Sequence, residues 1–462
     1  MLSRRGLIGS LCRLLFTLAA LIVLAAPAAA QSTQPPEDKL RATVAKWERA
    51  VKENPTDATL RVNLGAAYAA TGRPGKAINQ FKRAIALNPT MVEAQVNLGV
   101  AYARAGDPDK AIAAFNEAIR TNPSFATAHA NLAGLYEEQG ALEQALKHYE
   151  KAAAIDPDGP EAHFFLGRVY LKKEQWAEAL AANRRALELD DSLHGAYNNM
   201  GLAYRSLGKL EEARQAYRRA IKINPNYVDA YYNLALSYEY NPQGVRYGQG
   251  ADLKQAKQLY RKVLALKPSM AEAHLNLGAV AADQGKMKEA LSSLKRAIEI
   301  KPTLTEDHAR AWDKLGEVYF NLGRYASAIR AIRKAIALNP GYAKAHANLG
   351  RTYLEQQRLE DAAREYRTAT RLDPGLVKAR TNLGAIYASL GRLDDAIGEL
   401  EEAVAINPDH REAHTNLAII YHFTKQLDKA RAHFKRAEEL GYRFHQETGE
   451  ALKEATPPKR RR

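Results

Sequence analysis

A chain of 462 residues would ordinarily divide into about three domains, but strict internal periodicity overrides that prior and points to one elongated array. Its formal charge of +15 makes it basic enough to admit anionic partners. Cys12 is the only cysteine, so once the first 30 residues are removed no disulfide, thiol nucleophile or cysteine metal site is available.

Residues 1–30 differ in kind from the rest. A basic "MLSRRGLIGSLCR" leads into the apolar "LLFTLAALIVLAA", and Ala28-Ala29-Ala30 offers a cleavage site before Gln31. This is the pattern of a bacterial export signal and predicts a periplasmic protein. Two other fates stay open: retention as an inner-membrane anchor, although the apolar run is short for a span, and release outside the cell. Arg4-Arg5 also resembles a twin-arginine signal, but the strong apolar run favours the general secretory route.

Residues 31–57 form a polar linker and then "EDKLRATVAKWERAVKENP", which matches a lone second helix of the units that follow and serves as an N-terminal cap, with Trp47 and Ala50 in register. From 58 to 444 eleven units begin near Ala58, Val92, Ala126, Pro160, His194, Val228, Ala271, Thr305, Ala343, Val377 and Arg411. Each predicts a helix, a tight turn, a second helix and a stop. The turn usually carries glycine, such as Gly72, Gly106 or Gly391, as a left-handed helix end requires. Most second helices end at a proline, such as Pro89, Pro123 or Pro408, because the residue before a proline avoids the α region. Insertions near 241–250 and 303–306 break the period; the first predicts an exposed loop, the second about one extra helical turn with Thr305 as its N-cap. Residues 445–462 predict a closing helix and the basic tail "KRRR".

In every first helix one position is tiny (Gly65, Gly99, Ala133 and so on to Ala418), and an alanine such as Ala77, Ala213 or Ala396 follows, twelve residues later in nearly every unit. Glycine facing alanine predicts two antiparallel helices in close approach. Three residues after the tiny position sits a tyrosine in ten of the eleven units, Tyr68 to Tyr421, expected as a core wedge. Tiny residue, tyrosine, turn glycine, two alanines and terminal proline at this spacing resemble the tetratricopeptide repeat family over residues 58–442. The resemblance implies an all-α, right-handed superhelical solenoid whose first helices line a concave groove. Stacking is required in any case, since one helix pair cannot bury both faces alone.

An asparagine recurs two positions before the tiny residue: Asn63, Asn97, Asn131, Asn199, Asn233, Asn276, Asn348, Asn382 and Asn416, interrupted by Phe165 and Lys314. It lies off the packing stripe, so the row is expected to face the groove, where amides can donate to and accept from the backbone of an extended peptide. The row resembles the asparagine ladder in the repeat region of O-GlcNAc transferase, without that enzyme's catalytic domain; the alternative is that asparagine is simply common there. Groove positions in units three to six turn charged and aromatic, with Phe164, Arg168, Arg205, Tyr232 and Tyr240 as candidate peptide contacts. Arg310 and Lys314 form a candidate anion site, although a full carboxylate clamp fails because Tyr232 and Leu236 cannot bind a carboxylate.

No phosphate loop, dinucleotide loop or paired metal-ligand spacing occurs, and the recurrent histidines belong to the repeat, so no enzyme, cofactor or metal is expected. The expected function is a protein-binding scaffold of the bacterial envelope with a protein or peptide partner and no nucleic acid. Two alternatives stay open. One is a structural part of an envelope or exopolysaccharide secretion assembly. The other is binding to an anionic surface or polysaccharide through dibasic pairs of the second helices, such as Arg184-Arg185, Arg218-Arg219 and Arg333-Lys334.

Overall fold

A computed structural model describes residues 37–300 and 306–443. The export signal, Thr305, and the closing helix and basic tail expected at 445–462 lie outside the described residues. Within them are 23 helices and, apart from an isolated bridge between Tyr240 and Arg246, no strand. None of these helices is long and apolar enough to cross a membrane.

Glu37–Glu53 is the N-terminal helix. The A and B helices of repeats 1 to 5 are Ala58–Ala70 and Pro74–Leu87, Val92–Arg104 and Pro108–Thr121, Ala126–Glu138 and Leu142–Ile155, Pro160–Lys172 and Trp176–Leu189, His194–Ser206 and Leu210–Ile223. Repeat 6 comprises Val228–Tyr238 and Leu253–Leu266. Repeats 7 to 11 are Ala271–Asp283 and Met287–Ile300, Glu306–Asn321 and Tyr325–Leu338, Ala343–Glu355 and Leu359–Leu372, Val377–Ser389 and Leu393–Ile406, Arg411–Phe423 and Leu427–Glu439.

Where the sequence predicts one array, the chain divides into two compact units at Ala251 and Asp252. The division falls at the end of the insertion that replaces the short turn of repeat 6. Unit 1 holds the N-terminal helix, repeats 1–5 and the A helix of repeat 6; unit 2 holds the B helix of repeat 6 and repeats 7–11. The Glu37–Glu53 helix packs on repeat 1, with Val44 buried and Trp47 in one cluster with Leu64 and Phe81.

The turns show why glycine is favoured and what happens without it. Gly72, Gly106, Gly140, Gly208, Gly285, Gly323 and Gly391 all have φ between 68° and 80°. In repeats 4, 9 and 11 the same place holds Glu174, Gln357 and Lys425 at φ 59°, 57° and 63°. These L-residues accept a left-handed conformation of modest cost so that the turn is kept.

The close approach of A and B helices differs from the expected glycine-on-alanine contact. A Cβ on Gly99 would lie 2.5 Å from the Phe115 ring, and one on Gly201 2.4 Å from Tyr217. Gly384 meets Leu400 in the same way, at 2.6 Å. What covers the glycine is thus the residue sixteen positions on, one turn beyond the alanine. Ala111, Ala213 and Ala396 are fully buried; their small size brings the B backbone close enough to lay that next turn over the glycine.

The insertion after Tyr238 is an ordered loop. Glu239, fully buried, receives Arg246 Nε at 2.7 Å. Asn241 Oδ1 accepts from the backbone N–H of Gln243 and Val245, and its Nδ2 donates to Gln249 O. Val245 at the tip is 54% exposed.

Candidate peptide-binding groove

Within each unit, successive A helices touch one another as well as their B helices. This places the A helices on the inner side of each stack, and the recurrent asparagines sit there. Their surroundings divide them into two groups.

Four asparagines are bound inside the stack. Asn233 Nδ2 donates to Asn198 Oδ1 at 3.0 Å, and Asn348 Nδ2 donates to Asp313 Oδ1 at 2.8 Å, each reaching the preceding A helix. Asn199 donates to Asn183 Oδ1 at 3.3 Å and Asn382 to the Tyr366 hydroxyl at 3.1 Å, each reaching the preceding B helix. Asn131, Asn199 and Asn276 are only 2%, 8% and 5% exposed, and Asn131 Nδ2 turns back to Thr127 O. The expectation that all nine amides project into the groove is therefore corrected. The preceding repeat lies close enough to cover a rung or take its donor. Asn63, Asn97 and Asn416 are different: partly exposed, they make no side-chain hydrogen bond among the described residues.

The charged and aromatic candidates are also largely internal. Arg168 makes a two-pronged bond to Glu137 of the preceding A helix, Nε to Oε1 at 2.9 Å and Nη2 to Oε2 at 2.7 Å, and its guanidinium lies 4.7 Å from the Phe165 ring. Lys172 adds a contact to Glu137 at 2.8 Å. Burial alone would raise the Glu137 carboxyl, but Arg168 and Lys172 outweigh it and hold the group below the usual carboxylate range. Arg168 is thus a brace between repeats 3 and 4 instead of a ligand contact. Phe164 leans on Phe165 and covers Gly195 of repeat 5. Tyr240 sits in the loop, where its carbonyl accepts from Arg214 Nη2 at 3.2 Å. Arg205 and Tyr232 remain partly exposed on A helices.

The anion site is corrected as well. Lys314 is paired with Glu317 at 2.6 Å, and the neighbouring Asp313 is fully buried. The Glu317 carboxylate on Lys314 opposes the binding of a further anion there. The dibasic pairs of the B helices are also drawn into the stack. Arg184 and Arg333 donate to the hydroxyls of Tyr204 and Tyr353, and Arg218 to that of Tyr238. Lys334 lies 4.7 Å from the Trp312 ring, while Arg185 and Arg296 pair with Glu188 and Glu299. These tyrosines are the expected wedges, and the cations cap their polar ends.

One recurrent feature went unread in the sequence. The residue four before the tiny position donates to the carbonyl of the proline six residues earlier, at the end of the preceding repeat. Arg61, Gln95, His129, His163, His274, His346, Arg380 and His414 bond Pro55, Pro89, Pro123, Pro157, Pro268, Pro340, Pro374 and Pro408 at 2.8–3.3 Å. The signal was present as a histidine recurring with the proline, but arginine and glutamine doing the same work concealed it. No group of three or more His, Cys, Asp or Glu side chains that could hold a metal occurs among the described residues.

Models of the tetratricopeptide repeat match residues 39–92, 65–124, 96–160, 136–198 and 201–241, and a model of the C-terminal domain of cilia and flagella-associated protein 70 matches 242–455. No curated protein matches the sequence. Among solved structures, a Pseudomonas aeruginosa pilF protein is 22% identical with a TM-score of 0.42, over 49% of this chain and 96% of that one. The anaphase-promoting complex assembly Cut9–Hcn1 gives 14% identity and a TM-score of 0.45, covering 91% and 94%. Yeast Tom70 gives 15% and 0.41, covering 90% and 91%. With glycine turns, alanine-spaced helix pairs and repeat models along the array, the chain belongs to the tetratricopeptide repeat proteins.

Proposed function

We propose that the chain is a non-enzymatic adaptor of the bacterial cell envelope that holds an extended peptide or protein segment along its A helices. The leader at residues 1–30 supports export, with the periplasm as the destination. The observation that carries the binding role is the pair Asn63 and Asn97: rungs on adjacent A helices, partly exposed, with both amides unengaged among the described residues. Between them the partly exposed Ala66, Ala69, Val100 and Ala103 form a smooth, uncharged wall. Such a surface suits the backbone of an extended chain, which needs donors and acceptors at regular steps and room for small side chains.

The test is photo-crosslinking in cells from a reactive residue at Ala69, with the captured protein identified by mass spectrometry. Asn63→Ala with Asn97→Ala removes two hydrogen-bonding rungs and should weaken capture about fivefold to a hundredfold, at about 0.5–1.5 kcal/mol per bond. Unchanged capture would remove the role of these amides. Fractionation that leaves the mature chain in the cytoplasm would remove the envelope assignment.

A further inference from the structure

Two of the proline latches carry a second histidine. In repeat 3, His129 Nδ1 stands 3.0 Å from His148 Nδ1 on the B helix. In repeat 11, His414 Nδ1 stands 2.8 Å from His433 Nδ1. The ring centroids are 5.3 and 5.0 Å apart, so in each pair the two nitrogens face each other nearly in line. That is the geometry of an N–H···N hydrogen bond, whereas a shared metal would need both lone pairs to converge on a point beside that line.

The proline carbonyl decides which ring donates. It can only accept, so His129 Nε2 and His414 Nε2 must carry hydrogen where they bond Pro123 O at 3.2 Å and Pro408 O at 3.0 Å. In a neutral ring the other nitrogen is then an acceptor, and His148 and His433 donate through Nδ1–H. Each facing pair of nitrogens therefore shares a single proton. A second one would set two N–H groups against each other at hydrogen-bond distance.

We infer that the His129–His148 and His414–His433 pairs are acid-sensitive clasps: at neutral pH each fastens the proline-bonded ring of the A helix to the B helix of repeats 3 and 11, and in mild acid a second proton between the facing nitrogens breaks that bond. The groups around them favour the neutral state. His129 is 2% exposed and His414 6% exposed. His148 faces the Tyr136 ring at 5.8 Å and feels Lys147 and Lys151 on its own helix. Burial, then His129 and these lysines, push it down to about 4, and burial also lowers His129. His433 stacks on Tyr421 at 5.7 Å and is lowered by burial, by His414 and by Lys429, against an upward pull from Glu401 on the preceding B helix. His410, next to His414, is lowered by burial too. These folded-state values lie below that of a free histidine, about 6.5. The unfolded chain therefore binds protons first as pH falls, and the clasp's contribution, whole above about 6.5, drains away toward the folded values.

Repeats 9 and 10 are built-in controls. Their latches, His346 and Arg380, face Glu365 and Glu399 at 2.8 and 2.9 Å. With Nε2 donating to Pro340 O, His346 donates to Glu365 through Nδ1–H only in its charged form, and Arg380 is always charged, so acid does not break either contact.

Hydrogen exchange on the full chain, compared at pH 7.5 and 5.0 after correction for intrinsic rates, tests the inference. Protection over residues 126–155 and 411–439 should fall about tenfold or more relative to 343–372 and 377–406, a decade corresponding to about 1.4 kcal/mol. His148→Glu copies the pairing of repeat 9 and should abolish the acid response of repeat 3 while leaving that of repeat 11. If His148→Glu already loosens repeat 3 at pH 7.5, His129→Gln with His148→Ala decides, because it copies Gln95 and Ala114 of repeat 2 and removes both titrating rings. An acid response surviving in that double variant, or a loss of protection spread evenly over all repeats, would overturn the inference.

Discussion

Repeats 9–11 and repeats 4–5 share one backbone plan and differ in what fills it. In repeats 9–11 a single apolar cluster runs from Ile332 to Phe434, with Tyr366, Leu400 and Phe434 at the position that covers the tiny residue. In repeat 4 that position holds Asn183, so tightly set that a Cβ on Gly167 would lie 2.0 Å from its Nδ2. Asn183 donates to Ala179 O at 2.7 Å and accepts from Asn199 at 3.3 Å. Ala179, Leu180 and Ala203 form a small buried apolar cluster beside it, while Phe165, Leu166 and Val169 of the same repeat join the cluster of repeat 3. Geometry alone thus does not fix how firmly neighbouring repeats hold together. A stack whose stability sums over repeats and their interfaces gains most where the covering residue is aromatic or aliphatic and least where it is an amide.

Truncating the covering residue in each region puts the difference to its hardest test. Tyr366→Ala should cost about 3–5 kcal/mol, the range for losing a buried aromatic, and hydrogen exchange should report the loss across repeats 9–11. Asn183→Ala should cost about 1–3 kcal/mol, chiefly by stranding the Asn199 amide, and its effect should stay within repeats 4 and 5. Equal costs would mean that the polar seam packs as firmly as the apolar stack.

Replacing the seam sharpens the comparison. Leucine covers the glycine in repeats 7 and 10, so Asn183→Leu is sterically at home. Alone it leaves Asn199 unpaired and should destabilise by about 1–2 kcal/mol; combined with Asn199→Ala it should be neutral or stabilising by about 1 kcal/mol, since both polar partners then leave together. Thermal melts of the two variants beside the wild type would show the reversal of sign.

The smallest effect separates two versions of one brace. Asn233 to Asn198 and Asn348 to Asp313 are equivalent contacts, one neutral and one ending on a buried carboxylate. Burial raises the Asp313 carboxyl, with Asn348 and Lys344 pulling the other way. A folded value above the unfolded one, about 3.9, means that stability falls as pH rises through that window. Asp313→Asn should therefore gain on the wild type as pH rises from about 4, then level off. A gap that stays constant with pH would show that this carboxyl does not titrate with folding.

The helices, glycine turns and terminal prolines were legible in the sequence because each follows from local backbone conformation and from the 34-residue period. Trp47 in the Glu37–Glu53 helix and the tyrosine wedges followed from the same register. The asparagine row was legible as a pattern but only partly as a site. Whether Asn97 lies open or Asn233 is engaged depends on one residue of the preceding repeat, 35 positions away, and periodicity says nothing about that neighbour. Arg168 was misread for the same reason: its partner Glu137 belongs to another repeat. The insertion was legible as a loop, but not what orders it, since the Glu239–Arg246 pair that holds it occurs once.

The proline latch bears on how such an array can lengthen. The proline belongs to one repeat and its donor to the next, so each of these junctions is closed by a pair split across the boundary. Duplicating or deleting a latched 34-residue block brings together a proline and a donor that already fit, so the latch is kept at the new seam. The companion on the B helix, His148 or Glu365, lies in the same block as its donor. A copied block therefore carries its own response to acid, whatever neighbour it lands beside.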